Sequence, residues 1–301
     1  KSGQRLFEQN AGGAPANVLM TLKKCGMYGA FIGKVGDDMQ GHFIKRIFEQ
    51  AKIDTSGLVM DQEAYTTLSF ISQKENGERK ISFARKPGAD TRLEKKDVKV
   101  ALLRKCKVLH IGAVSLTEEG AREATLFAIQ EVKENGYTIS YDPNYRESLW
   151  KSKEEAKEVM GSMLPYVDII KVSKKEAMLI TGESRVEQAA VRLKEEGIQV
   201  VVITLGENGS YVCNEDGGLY VKGFQAAVVD TTAAGDAFWG AFLSKLLMIS
   251  KKVQDVSLEE LADCALFGNA VASLCVEKFG GIQAIPDFES AKSRYLESVV
   301  K

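Results

Sequence analysis

A carboxylate that follows directly on residues with almost no side chain is the first place to look for chemistry in this chain. The stretch Val228 to Gly240 reads Val-Val-Asp-Thr-Thr-Ala-Ala-Gly-Asp-Ala-Phe-Trp-Gly. Two β-branched residues suggest the end of a strand, and an apolar helical run follows from Ala237 to Met248. The turn between them, Ala233-Ala234-Gly235, carries nothing bulky, so a ligand can reach its backbone N–H groups. Those groups fall at a helix N-terminus, where orphan donors and the positive end of the helix dipole favour an anion. Asp236 stands in the same first turn. It reads equally as a helix-capping aspartate or as a general base beside bound phosphate.

Other segments offer ligand-facing chemistry. Asn10-Ala-Gly-Gly-Ala-Pro-Ala-Asn17 places Gly12 and Gly13 where a loop can approach a ligand closely. Pro15 suits the first turn of the helix that continues to Lys24, and Asn17 offers a donor and an acceptor together, which suits a polyol. A plain loop-to-helix entry explains the same residues. Arg85 precedes Pro87-Gly88-Ala89-Asp90 on a surface loop and is solvated in the simplest reading. The Gly33-Lys34 pair is no phosphate-binding P-loop, because Tyr28 stands five residues before Gly33 and Val35 follows the lysine. His110, in an apolar run, reads as a core or strand-end residue.

The elements that must position these groups alternate. Strands are expected at 108–111, 138–141, 167–172 and 199–205, with helices at 42–51, 153–163, 186–196, 236–248 and 258–278. Ser115-Leu-Thr-Glu118 has capping-box spacing and is expected to open a further helix, which ends at Asn135-Gly136. Ser173-Lys-Lys-Glu176 is expected to open another, ended by Gly182. Tyr65–Ser72 and Arg79–Phe83, joined through Asn76-Gly77, form a hairpin pattern, and Tyr211–Cys213 with Leu219–Val221 forms a second. Strand–helix alternation with apolar strands implies a mainly parallel sheet covered by helices on both faces. Ligands of such sheets sit beyond the carboxyl ends of the strands. Asp142, Asn144, Arg146, Ser173, Glu176, Gly206, Gly209 and Asp236 all follow strand ends and are expected to converge there, which favours the functional reading of Asp236.

Bulk properties narrow the class. The 301 residues carry 40 Lys and Arg against 41 Asp and Glu, a formal net charge of -1. That balance argues against a nucleic-acid or membrane-surface partner, and no apolar run approaches the ~20 residues that span a bilayer. The five cysteines are scattered without a CxxC pair, as expected of reduced thiols in a cytoplasmic protein. With two histidines, a His-based zinc site or a Ser-His-Asp triad is not expected. No G-x-G-x-x-G follows a first strand, which argues against a Rossmann dehydrogenase.

Gly12-Gly13-Ala-Pro-Ala-Asn17 resembles the N-terminal signature of the ribokinase-like (PfkB) sugar kinases. Asp230-Thr-Thr-Ala-Ala-Gly-Asp236 resembles their C-terminal signature, Thr204-Leu-Gly-Glu-Asn-Gly209 their nucleotide loop, and Ser173-x-x-Glu176 their Asn-x-x-Glu motif. Within that family, Phe83–Asp90, His110–Leu116 and Tyr141–Trp150 look like fructokinase segments. The resemblance spans nearly the whole chain and implies a single ribokinase-like α/β domain over 1–301 with a small β-sheet lid inserted at about 53–90. It implies ATP-dependent phosphorylation of a sugar hydroxyl, fructose first, with 2-keto-3-deoxygluconate or another sugar as the alternative and a non-catalytic sugar- or nucleotide-binding regulator as the reading from another class.

On that resemblance Asp236 is the base, and the turn Ala233, Ala234, Gly235 is the anion hole. Gly12, Gly13, Asn17, Arg85 and Asn144 hold the sugar, with Arg146 facing sugar or phosphate. Ser173, Thr204, Gly206, Gly209, Gly235 and Asn269 frame ATP. Glu176 places Mg²⁺ through water, and Asp230 and Thr232 form a K⁺ site. A homodimer through the lid is implied as well. Three departures stand out. Ala233 replaces a usual glycine, at a cost of roughly 1–2 kcal/mol if φ is positive there. Ser173 replaces the usual asparagine. The family's first strand, which carries a sugar-binding aspartate, has no counterpart before Gly12, and a segment omitted ahead of Lys1 is the expected reason.

Overall fold

In a computed structural model the described residues are 7–73 and 79–299. The Asn76-Gly77 turn lies outside them.

The first part of the chain runs through α1 (Ala14–Lys24), β1 (Ala30–Gly36), α2 (Met39–Gln50) and β2 (Asp54–Asp61), then the hairpin strands β3 (Leu68–Gln73) and β4 (Arg79–Ala84). It continues through α3 (Val100–Leu103), β5 (Val108–Gly112), α4 (Glu119–Glu134), β6 (Thr138–Asp142), α5 (Lys153–Gly161) and β7 (Ile169–Ser173). Next come α6 (Lys174–Thr181), α7 (Val186–Glu195), β8 (Val200–Thr204), β9 (Ser210–Asn214) and β10 (Gly217–Val221). The chain closes with α8 (Ala234–Ile249), α9 (Leu258–Cys275) and α10 (Phe288–Val299).

Six strands form the main sheet in the order β10-β9-β8-β7-β6-β5. Strands β5 to β8 are parallel, and β9 and β10 return antiparallel. The alternation of side chains along each strand sorts residues between two cores. Ile139, Tyr141, Ile170, Val172, Val201 and Ile203 face the layer built from α4, α5, α6 and α7. Ile169, Val200, Val202 and Val212 face Phe238, Trp239 and Phe242 of α8, with α9 behind. Helix α8 is apolar nearly all round, as a helix packed on both sides must be. Its Trp239 and Phe242 rings stack at 4.9 Å, and the Trp239 indole N–H donates to Ser140 Oγ at 2.9 Å.

Two expectations change, and the structure adds two features that the sequence does not announce. Val228 and Val229 do not end a strand: Val228 is exposed, and the Val229 and Asp230 amides both donate to the Val276 carbonyl, at 2.8 and 3.0 Å, instead of to a strand. Ser115 opens no capping box. Its hydroxyl donates to Gly112 O within a 3₁₀ turn, and α4 starts later, behind Glu118. Helix α10, which packs on α9, was not anticipated. Finally, β2 does not pair with the β3–β4 hairpin. It runs parallel to β1, from Ala30 opposite Asp54 to Gly36 opposite Asp61, so the accessory β-structure draws in a strand that precedes residue 53.

Candidate active site

The parallel strands end on one edge, and the polar groups of interest lie there. Strand β6 ends at Asp142 and β7 at Ser173. Facing them, the first turn of α8 comes in from the other side of the sheet. Ala233 precedes it at φ 60°, ψ 0°, in the left-handed region, so the strain foreseen for an alanine here is present. That backbone conformation turns the chain sharply into the helix. No side chain caps α8, and its first helical bond is Ala237 N–H to Ala233 O at 2.7 Å. The Ala234 amide leans on Thr231 O at 3.4 Å.

Asp236 is buried and clamped from two sides. Asn17 Nδ2, from α1, donates to its Oδ2 at 2.8 Å, and Asn144 Nδ2, from the loop after β6, donates to its Oδ1 at 2.8 Å. Burial raises the carboxyl above its ordinary value, opposed by Lys171, the Asn17 hydrogen bond, Arg146 and the Asn144 hydrogen bond. This geometry does not belong to a helix cap: both oxygens take side-chain donors from distant segments, and neither serves the amides of the α8 first turn.

Asn144 reaches this position because it too is left-handed, at φ 46°, which asparagine tolerates better than most residues. Its backbone N–H donates to Asp142 Oδ1 at 3.1 Å. Asn17 Oδ1 is the one buried side-chain polar atom among the described residues with no hydrogen-bond partner. An orphaned buried acceptor is costly unless a donor meets it. Gly12 lies on the loop that leads into α1, with open space where a side chain would stand, and Gly13, at φ 112°, takes a backbone shape that favours glycine.

Glu176 forms a capping box with Ser173 at the expected start of α6: Ser173 N–H donates to its Oε2 at 2.7 Å, and Ser173 Oγ accepts from Glu176 N–H at 3.3 Å. Its Oε1 also accepts from Tyr145 N–H at 2.7 Å, tying the loop that carries Asn144 to α6. Arg146, half-buried, donates from Nη1 to Tyr145 O at 3.0 Å.

Other expected site residues are engaged in structure. Arg85 is buried, with Nε on Asp90 Oδ2 at 2.7 Å, Nη1 on Thr117 Oγ1 at 2.7 Å and Nη2 on Val114 O at 3.0 Å. It fastens the end of β4 to the turn after β5. Asn269 Nδ2 donates to Lys222 O at 3.0 Å and to Val221 O at 3.3 Å, bracing the end of β10. Gly209, at φ 88°, passes so close to Val221 O that a Cβ there would lie 2.1 Å away. Gly206 is left-handed at 65°, and Thr204 ends β8. Asp230 accepts from Thr232 N–H at 2.7 Å and from Gly280 N–H at 3.1 Å.

The sequence reading missed Lys171. It is buried, its Nζ lies 2.8 Å from Asp142 Oδ2, and it sits 3.0 Å from the position a Cβ on Gly235 would occupy. Burial alone would lower the ammonium, but Asp142, Glu176 and Asp236 raise it above its ordinary value. Burial pushes the Asp142 carboxyl up to about 7 against the pull of Lys171, with Glu176 and Asp236 adding to the rise. The available signal was a lysine inside the apolar run of β7. His110 is no part of this cluster's chemistry: burial and the nearby Lys171 push it down to about 3, and its Nδ1 lies 3.0 Å from Ser140 Oγ.

The arrangement can bind a hydroxyl beside a carboxylate and an anion at the adjoining turn. Residues 3–287 match the family model described as pfkB family carbohydrate kinase. The chain belongs to the pfkB family of carbohydrate kinases. It is 37% identical over 281 residues to probable fructokinase-2 of Arabidopsis thaliana, an alignment covering 93% of this chain and 85% of that one. Among solved structures it is similar to the fructokinase of Xylella fastidiosa with bound ATP, at a TM-score of 0.91 and 28% identity over 98% of this chain and 94% of that one. The fructokinase of Vibrio cholerae O395 with fructose, ADP and calcium ion bound matches at 0.89 and 28% identity, with the same coverage of 98% and 94%. Like other pfkB carbohydrate kinases, this protein is a phosphotransferase with an alcohol group as acceptor, and its α/β fold is the ribokinase-like one.

Proposed function

We infer that this pfkB carbohydrate kinase transfers the γ-phosphoryl of ATP to the 6-hydroxyl of D-fructose, with Asp236 as the base. The observation that carries the reading is the clamp of Asn17 and Asn144 on a buried Asp236 at the uncapped start of α8. The sugar hydroxyl loses its proton to Asp236 as its oxygen bonds to phosphorus and ADP leaves. Asn17 Oδ1 accepts a hydrogen bond from the sugar, with Gly12 and Gly13 giving the backbone room to approach. The amides of Ala234, Gly235 and Asp236 hold the transferred phosphoryl. Phosphoryl transfer needs mainly positioning and neutralised charge, which suits so sparse a set of groups. The fructose assignment is supported by the curated fructokinases the chain resembles. Asp236→Asn is expected to lower kcat by about 10²–10⁴-fold with the fold kept. Turnover measured on fructose, ribose, adenosine and 2-keto-3-deoxygluconate side by side decides the substrate, and no preference for fructose refutes it.

Thr204, Gly206, Gly209 and Asn269 shape the nucleotide side, and Ser173 lies at the same sheet edge. Magnesium retains most of its waters and binds few protein groups. Glu176 fits an outer-sphere role, since two backbone donors occupy part of its carboxylate and lone pairs remain for water. Bound there, the ion would neutralise phosphate charge. Asp230 and Thr232 would line a K⁺ site through their carbonyls; a potassium-ion complex is named for a variant of the Vibrio cholerae fructokinase. Arg85 serves the sugar by holding the hairpin, and Arg146 lends its charge from the rim.

The hairpin β3–β4 exposes Phe70, Ile71 and Ile81, and a homodimer through this lid is the arrangement that would cover them. Light scattering on the wild type and Ile71→Asp tests it. No helix among the described residues is long and apolar enough to cross a membrane; the cytoplasm suits its free cysteines.

A further inference from the structure

Lys171 lies at the floor of the site, and no step of the transfer described above uses it. On β7 it alternates with Ile170 and Val172, which face the α4–α7 layer. Lys171 therefore shares the face of Ile169, toward α8. Asp142, at the end of β6, is its hydrogen-bond partner among the described residues, at 2.8 Å, and both side chains are buried. An ammonium has three donors. The same Nζ stands 3.0 Å from where a Cβ on Gly235 would be, directly against the turn that opens α8. Burying a full charge in an otherwise apolar strand is expensive, and well-packed neutral residues are often as stable. Stability alone does not explain its presence.

From the far side of this ion pair a continuous chain of contacts leads to the candidate base. Asp142 Oδ2 takes Lys171, Asp142 Oδ1 takes the Asn144 amide at 3.1 Å, and the Asn144 side chain donates to Asp236 at 2.8 Å. We propose that Lys171 is a positioning residue for phosphoryl transfer: pinned by Asp142 beneath Gly235, it fixes the left-handed Asn144 against Asp236 and places a buried positive charge behind the anion-binding turn. This rests on the reading of Asp236 as base. The charge has two effects of one sign. It favours the ionised form of Asp236, and it favours the negative phosphoryl group at the amides above it. A Cβ at position 235 would crowd that ammonium, which would have to give by a few tenths of an ångström.

The charged and titratable groups that face Asp236 are Lys171 from β7, Arg146 from the loop after β6, Asp142 at the end of β6, and Cys275 of α9. Lys171 itself faces Asp142, Glu176, Asp236 and His110. Of these, Lys171 and Arg146 oppose the burial that raises Asp236. Removing Lys171 is therefore expected to move the acid limb of the rate profile to higher pH.

Two variants test this with the full chain. Lys171→Met leaves Asp142 buried without its cation and is exposed to misfolding. Lys171→Met/Asp142→Asn removes both charges, keeps an acceptor for the Asn144 amide, and is expected to fold. In the double variant kcat for the preferred sugar is expected to fall by about ten- to a hundredfold, the scale at or just below the loss of one anion-hole donor. The sugar KM should change less than kcat; the acid limb of kcat/KM should move up in Lys171→Met, and less in the double variant, where the Asp142 charge that opposes Lys171 at Asp236 is gone as well. Wild-type kcat with an unmoved acid limb would reduce the pair to a structural one, and so would a double variant that cannot fold. If the wild type phosphorylates no sugar, the reading of Asp236 fails instead, which is a separate result.

Discussion

The strained alanine at the entrance to α8 yields a measurable prediction. Ala233 sits at φ 60° and ψ 0°. An L-residue pays about 1–2 kcal/mol in that region, and glycine pays nothing comparable. Replacing Ala233 by glycine recovers this amount but gives back about 0.5–1 kcal/mol of unfolded-state entropy. It also loses the packing of one methyl group that is partly buried against the α1–α9 core, worth about 0.4 kcal/mol when half the burial of a CH₂ is counted. The net expectation for Ala233→Gly is a gain of about 0.5 kcal/mol, near 1–2 °C in Tm for a chain of this size. Ala233→Val carries the opposite sign, because a β-branched residue at positive φ is a true outlier; a loss of about 1–3 kcal/mol is expected. Urea unfolding of the three proteins, with equal m-values, reads the ordering Gly, Ala, Val directly. Turnover of the glycine variant should match the wild type, because the backbone keeps its shape. A valine variant as stable as the wild type, or a glycine variant less stable by more than about 1 kcal/mol, would refute the strain.

Other consequences are smaller to measure. Asn144→Ala removes one of two donors to Asp236 and is expected to lower kcat by about tenfold, within the range of a lost hydrogen bond to a charged group, with sugar KM little changed. Asn17→Ala removes a donor to Asp236 and the free acceptor beside it, so kcat should fall and sugar KM should rise together. The pH profile follows from the raised Asp236 carboxyl: as the proposed base it works only when ionised, so kcat/KM should fall as pH drops through a value above the ordinary carboxylate range. An acid limb in the ordinary range would contradict the burial. Ser173→Ala removes the hydroxyl that caps α6 and should cost about 0.5–2 kcal/mol of stability, read by chemical unfolding.

Sequence periodicity carried the main sheet well, because alternating strands and amphipathic helices leave a one-dimensional trace. The helix start at Ser173–Glu176 and the stop at Gly182 are legible for the same reason: each is settled within a few residues. Pairing is not local, and so nothing in the neighbouring sequence announces that β2 runs beside β1. Val228 and Val229 have strand-forming side chains, but their stretch of backbone is captured by the carbonyl of Val276, nearly fifty residues on. Asp236 could be singled out by its neighbours in sequence. Its clamp could not, because left-handed Asn144 and helical Asn17 reach it only in three dimensions. Lys171 was overlooked because a lysine in an apolar strand reads as a local exception, and its meaning lies in Asp142 and Gly235.

The two amides that hold Asp236 come from positions 219 and 92 residues away along the chain. Contacts of such long range cost loop-closure entropy and form late in folding, after local helices are in place. Recovery of sugar phosphorylation after dilution from denaturant is therefore expected to lag behind the return of helical circular dichroism. With Asp236 as the proposed base, activity doubles as a built-in reporter of completed assembly: a chain whose first helix has not docked can look folded to spectroscopy and still be catalytically silent.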